Sequence, residues 1–312
     1  MSLDFLLSKR LILLSGKGGV GKTTIALCLG LAAASLKKKT LIVEMNSTER
    51  VAPYFGLKEI GHKEIPLSPY LTGINLKPHD CFEEYVLMQV RFKAIFDVFI
   101  NNRFVTAFLS AVPGLNELLM IGKIFDLERQ TKRFPKREWL YDLIIVDGQA
   151  TGHGMSAFSV PSIVARAVKV GPMKIQAERL VNMLTNREKT AFCVVTIPEE
   201  MPVIEAGELL EQVREKLHIP LGPLFLNNVV TTELTEEEAA SIGKKMPDRE
   251  DPLFPAFAYA RLEAARAKLH DHYATLLKKQ NPGAEIITVP HLEEEIRSAK
   301  QLKAIAEQLM SF

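Results

Sequence analysis

The chain has 312 residues, 47% of them hydrophobic, and its 39 basic and 37 acidic residues leave a net charge of +2. This composition suits one large α/β domain or a core domain with a sizeable insertion, and the charge balance gives no electrostatic basis for nucleic acid or an anionic membrane as a bulk partner. Cys28, Cys81 and Cys193 lie far apart with no C-x-x-C pair, which argues against a disulfide framework or a local thiolate metal clip and suits a reducing compartment.

The opening MSLDFLLSKR has no long apolar stretch behind a basic segment, and no run of about 18 uncharged apolar residues appears, so a cytoplasmic protein is expected. Residues 10–15 read as a buried strand that breaks into LLSGKGGVGKTT. Gly16, Gly21, Lys22 and Thr23 satisfy G-x-x-x-x-G-K-[ST]: backbone N–H groups cradle phosphate, the lysine reaches the β and γ oxygens, and the hydroxyl ligates Mg²⁺. Gly18, Gly19, Val20 and Thr24 complete the loop, and residues 23–36 read as a helix whose N-terminus faces the anion. The loop carries a second lysine, Lys17, that the motif does not require.

Further strands are expected at 40–45, 140–146, 165–170, 191–196, 222–229 and 284–289. Alternating with helices, they predict an α/β fold with a mostly parallel, doubly wound sheet, whose ligand lies beyond the carboxyl ends of the strands. Residues 1–58 and 139–312 read as the nucleotide-binding core and 59–138 as a helical insertion, with another helical stretch at 233–280. In the insertion Tyr85, Met88, Phe92, Ile95, Phe96 and Phe99 form one apolar stripe and Leu87, Ala94 and Val98 a second, followed by a helix at 115–130. Such an insertion either packs on itself or offers a groove to an apolar helical partner. Asp147 follows an apolar strand, the place of an acid that supports Mg²⁺ directly or through water, and GQATGHG (148–154) follows it as a small-residue loop able to reshape around a γ-phosphate.

KGGVGKTT resembles the deviant Walker A loop of the MinD, ParA, nitrogenase iron protein and ArsA superfamily, and DGQATGHGMSAFSVP is similar to the D-T-A-P-T-G-H segment of the branch containing ArsA and the ATPases that deliver tail-anchored membrane proteins. VPGLNELLMIGKIFDL, TIPEEMPVIEAGELL, LFLNNVV and VPHLEEEIRSAKQL continue the resemblance in family order over nearly the whole chain. It implies ATP/ADP and Mg²⁺ as cofactors, with Lys22 on the β and γ phosphates, Thr23 and Asp147 at the metal, and Thr24 at the α-phosphate. It also implies Asn227 at the adenine, Pro290 in the loop over the base, and Lys17 reaching the nucleotide of a second subunit. A second ammonium has most effect where phosphate charge accumulates during transfer, and supplying it in trans couples chemistry to dimer closure.

Three departures qualify the resemblance. The switch I motif S-T-D-P-A-H is replaced by EMNSTE (44–49), placing Asn46 where an Asp orients the attacking water. An amide cannot take a proton, so hydrolysis is expected to be slow unless Glu44 or Glu49 reaches the water or positioning alone suffices. The zinc C-x-x-C of tail-anchor targeting members is absent, and the scattered cysteines do not form an arsenite site. The short span 172–190 leaves little room for extra groove-closing helices. The expectation is a slow, Mg²⁺-dependent, ArsA-type ATPase working as a homodimer, or as a heterodimer with a related ATPase, on an apolar helical or membrane-protein client. The alternatives are a catalytically weak subunit regulating an active paralogue and, below it, a MinD- or ParA-like partitioning ATPase.

Overall fold

A computed structural model describes residues 3–89, 114–132, 138–244 and 246–310. After the short helix α1 (Leu3–Leu7) the chain forms β1 (Leu11–Gly16), every residue of which is buried, as expected of the centre of a parallel sheet covered on both faces. The phosphate loop leads into α2 (Lys22–Ser35), and β2 (Thr40–Met45) returns fully buried. Next come a 3₁₀ turn at Ala52–Phe55, β3 (Ile65–Ser68), β4 (Leu71–Leu76), α3 (Pro78–Gln89) and α4 (Leu115–Arg129). A two-strand hairpin, β5 (Thr131–Lys132) and β6 (Glu138–Trp139), precedes β7 (Leu143–Ala150), α5 (Thr151–Ala167) and α6 (Pro172–Leu184). The chain closes with β8 (Thr190–Thr196), α7 (Glu200–Gln212), a π-helical turn at Val213–Leu217, β9 (Leu224–Val229), α8 (Glu236–Lys244), α9 (Phe254–Gln280), β10 (Ile286–Pro290) and α10 (Ala299–Met310).

Eight strands form one sheet in the order β10-β9-β8-β1-β7-β2-β4-β3, parallel except for β3, which is antiparallel to β4 at the edge. The pleat of β1 sorts the two cores. Leu11 and Leu13 pack on one face with Met120 and Ile121 of α4, Leu180 of α6 and Leu209 of α7. Ile12 and Leu14 pack on the other with Ile25 and Leu29 of α2 and Leu302 and Ile305 of α10. The C-terminal helix α10 thus packs into the core through Leu302, Ile305, Ala306 and Leu309.

Three elements differ from the sequence expectation. Residues 165–170 are not a strand: α5 runs to Ala167, and Val170 is 82% exposed. Both neighbours of β7 are already occupied, by β1 and β2, so the run AVKV has no sheet position beside it. Strands β3 and β4 fall inside the stretch 59–138 that reads as a helical insertion, and they extend the core sheet. Their Pro66, Gly73 and Asn75 obscure the strand signal, and a proline is tolerated in β3 because it is an edge strand. The predicted stripe residues 92–99 lie outside the described residues. Helix α9 packs on α7 and β9, giving the 233–280 stretch its place beside the nucleotide core.

Gly16 ends β1 with φ 151°, and a Cβ there would sit 2.1 Å from the carbonyl oxygen of Val195 on β8. That oxygen belongs to backbone in the middle of the sheet and has no room to retreat. Gly16→Ala is expected to lower stability by roughly 2–4 kcal/mol, measured as a drop in Tm and in the denaturant midpoint.

Candidate functional site

The phosphate loop turns on glycines the backbone requires. Gly19 and Gly21 have φ of 86° and 89°, and a Cβ on Gly21 would lie 2.2 Å from Nδ2 of Asn227. The Lys22 ammonium is buried and donates back to the carbonyls of Gly16 at 2.9 Å and Lys17 at 2.8 Å. Burial lowers its pKa; the negative charge of Asp147 opposes that shift and Arg50 adds to it.

The next residue, Thr23, donates its hydroxyl to Oδ2 of Asp147 at 2.6 Å, which brings the two expected metal-supporting groups together. Asp147 lies within β7 rather than at its end. Its other oxygen, Oδ1, is buried with no hydrogen-bond partner among the described residues. Burial raises the Asp147 pKa to about 6; the Thr23 hydrogen bond and Lys22 pull it down, and Glu44 pushes it up. Hard oxygen donors with an unsatisfied carboxylate oxygen fit Mg²⁺, which takes few protein ligands and keeps several waters. Thr23 and Asp147 are the residues that would hold it, and the ion would supply charge neutralisation at phosphate oxygens.

Gly19, Thr24, Asn227 and Pro290 line a cavity of about 250 Å³ with Ile197 and Leu292. The sequence-predicted base-binding residues therefore converge beside the phosphate loop. Asn227 donates Nδ2 to the carbonyl of Val20 at 2.9 Å, which leaves its amide oxygen and the second N–H of Nδ2 for a ligand in the cavity.

Switch I separates the three candidates for orienting water. Asn46 is exposed at the end of β2 in a left-handed conformation, φ 48°, and its N–H donates to Leu76 of β4. Glu49 is committed elsewhere: its carboxylate accepts from the N–H groups of Ile60 and Gly61 and from Nδ2 of Asn75. Glu44 is wholly buried and stands opposite Asp147 in the β2–β7 register. In switch II, Gly148 packs so tightly that a Cβ would lie 2.3 Å from the carbonyl of Leu14. The side chains of 149–156, including His153 of the T-G-H loop, lie outside the described residues.

Lys17 neither extends into solvent nor turns toward Lys22. Its ammonium pairs with Glu205 of α7 at 2.7 Å. Glu205 and Arg50 are the charged neighbours that motif reasoning missed. Glu205 lies in TIPEEMPVIEAGELL, a segment quoted for its resemblance, but nothing in its spacing links it to Lys17. Arg50 follows switch I by chain position alone, and only the fold sets its charge near Lys22 and Asp147.

Residues 9–174, just over half of the chain, match the anion-transporting ATPase family, ArsA_ATPase. The chain is similar to ATPase BagA of Mycobacterium tuberculosis, with 29% identity over 286 residues that cover 89% of this chain and 81% of that protein. It is 24% identical over 257 residues to an ATPase ASNA1 homolog of Entamoeba dispar, covering 70% and 76% of the two chains. With ATPase GET3 of Malassezia globosa it shares 22% identity over 339 residues, covering 97% and 91%. The family match runs unbroken from the phosphate loop through both switches, and on that ground the chain belongs to the anion-transporting ATPase family.

Proposed function

We propose that this ATPase-family chain binds ATP with Mg²⁺, hydrolyses it slowly, and uses the nucleotide to close as a cytoplasmic dimer that presents its helical region to an apolar client. The observation that carries the reading is the Thr23–Asp147 contact beside the inward-held Lys22, with the base cavity on the other side of the same loop. Phosphate, metal and base subsites thus share one edge of the sheet.

Slow turnover is supported by Asn46 and by the commitment of Glu49 to backbone N–H groups. The same observations favour a second reading, in which the chain senses ATP and pairs with a related subunit that performs hydrolysis. Dimer closure is supported by the placement of Lys17. Its pair with Glu205 is partly exposed, and such pairs contribute roughly 0–1 kcal/mol, so phosphate oxygens of a facing nucleotide are strong competitors for the ammonium.

An apolar client, a helix or a membrane-protein segment, is supported by a cavity of about 210 Å³ between α3, α4 and α6, lined by Tyr85, Leu115, Leu118, Leu119, Phe125 and Met173. Tyr85 and Met173 are each about half exposed. Thiol capture of an anion is unsupported. Cys28, Cys81 and Cys193 are buried on α2, α3 and β8, and burial pushes the Cys28 and Cys81 thiols up to about 12, the opposite of a ligating thiolate. Among the described residues no helix is long and apolar enough to cross a membrane.

Lys22→Ala is expected to weaken ATP binding or turnover by about 100-fold; unchanged affinity and turnover in calorimetry and phosphate release would refute the phosphate-loop assignment. Lys17→Ala should keep monomer ATP affinity within about twofold while losing ATP-dependent dimerisation, read by light scattering, because its pair with Glu205 is a weak surface contact. An unaltered dimer removes the trans role. Asn46→Asp should raise turnover by about tenfold or more if a carboxylate at this position reaches the water, and the left-handed backbone accommodates Asp as readily as Asn. No gain assigns the positioning of water to another group.

A further inference from the structure

Glu44 is a charged neighbour of Asp147 that the reading above does not use. It is 0% exposed at the carboxyl end of β2, one strand from Asp147 and in register with it. Register partners in a parallel pair project to the same face, so the two carboxylates rise side by side. One oxygen of Glu44 is spent on the chain: Oε1 accepts from Oγ of Ser47 at 2.7 Å and from the N–H of Arg50 at 2.8 Å. The other oxygen, Oε2, is buried without a hydrogen-bond partner among the described residues, and so is Oδ1 of Asp147.

Two buried carboxylate oxygens on adjacent strands, each without a hydrogen-bond partner among the described residues, repel each other. Lys22 acts on Asp147 only through its charge, because its ammonium donates to the carbonyls of Gly16 and Lys17 and to neither of these oxygens. A divalent cation relieves both at once. Mg²⁺ suits the place better than a softer ion, since every donor is a hard oxygen and the hydroxyl of Thr23 is already on Asp147.

We propose that Glu44 is a second carboxylate of the magnesium site, its Oε2 acting with Oδ1 of Asp147 to hold the hydrated ion beside Thr23. The assignment rests on the Mg²⁺–ATP reading of the site and adds to it a residue from switch I. Because the other oxygen of the same carboxylate fixes Ser47 and Arg50, metal at Oε2 and the conformation of switch I bear on one side chain. Occupancy of the metal site is thereby communicated to the segment that carries Asn46.

The test measures Mn²⁺ binding to the nucleotide-loaded full chain by electron paramagnetic resonance, alongside ATP affinity in EDTA, for wild type and Glu44→Gln. Gln keeps the size of the side chain and an oxygen for Ser47 and Arg50. The expected result is a loss of at least about tenfold in Mn²⁺ affinity, in the range seen when groups supporting a metal site are removed, with metal-free ATP affinity preserved. Mn²⁺ affinity equal to wild type would overturn the proposal while leaving the Mg²⁺–ATP reading intact. Wild-type protein that binds neither nucleotide nor Mn²⁺ would overturn both. If the Gln variant does not fold by thermal melting, Glu44→Asp, which withdraws the carboxylate by one methylene, replaces it in the same titration. A lower Mn²⁺ affinity in that variant supports the role, and an unchanged one overturns it.

Discussion

The site depends on one buried ammonium. Lys22 lies inside the loop that precedes it, and the cost of burying its charge is offset by the carbonyls of Gly16 and Lys17, which turn inward to accept from it, and by the negative charge of Asp147. That requirement bends the chain back on itself at the end of β1, and the bend accounts for the glycines at 16, 19 and 21. It also starts α2 at Lys22, which sets the Thr23 hydroxyl against Asp147. Desolvation works against the charged form of Lys22, so an incoming phosphate restores what burial removes. The loop thus has the cradle shape that the proposed phosphate ligand would need.

The two lysines of the loop stand in opposite regimes. Lys22 is buried and held by fixed backbone carbonyls, whereas Lys17 is about one-third exposed and held by one carboxylate on a neighbouring helix. A charge held by rigid dipoles in low dielectric changes partner only when a stronger anion enters the same pocket. A charge on a flexible stem in a half-solvated pair exchanges at little cost. The first arrangement suits a permanent binding group and the second a group that must move, in keeping with the proposed closure on nucleotide.

Much of this was legible in the sequence, for reasons specific to each element. The strands β1, β2 and β8 are continuous apolar runs because the sheet is covered on both faces, and such runs can be read without tertiary context. The turn after β1 was legible because Gly19 and Gly21 sit at positive φ, which glycine adopts at the least cost. Strands β3 and β4 were not, since Asn75 is buried there to serve switch I and not to fill a core. The run at 165–170 imitates a strand but ends a helix, and sheet occupancy rather than propensity decides between them. Pairings such as Lys17 with Glu205 join residues 188 positions apart and follow only from the fold.

Asn75 also shows how the nucleotide edge is tied to the helical region. Its amide donates to the carbonyl of Ser47 at 3.1 Å and to Glu49 at 3.0 Å, and two residues on Lys77 donates to that same carbonyl at 2.6 Å. Switch I is therefore fastened to the end of β4, and α3 begins at the residue after Lys77. Helix α3 is joined in turn to α4 through the Glu84–Lys123 pair at 2.6 Å. A change at Glu44 that shifts Ser47 has to move or break these contacts before it is absorbed elsewhere. The path from the metal-facing end of β2 to the first turn of α3 is a few directly bonded residues long. Under the proposed function, this path would let nucleotide state bear on the helical region through hydrogen bonds to one carbonyl, without requiring the sheet itself to deform.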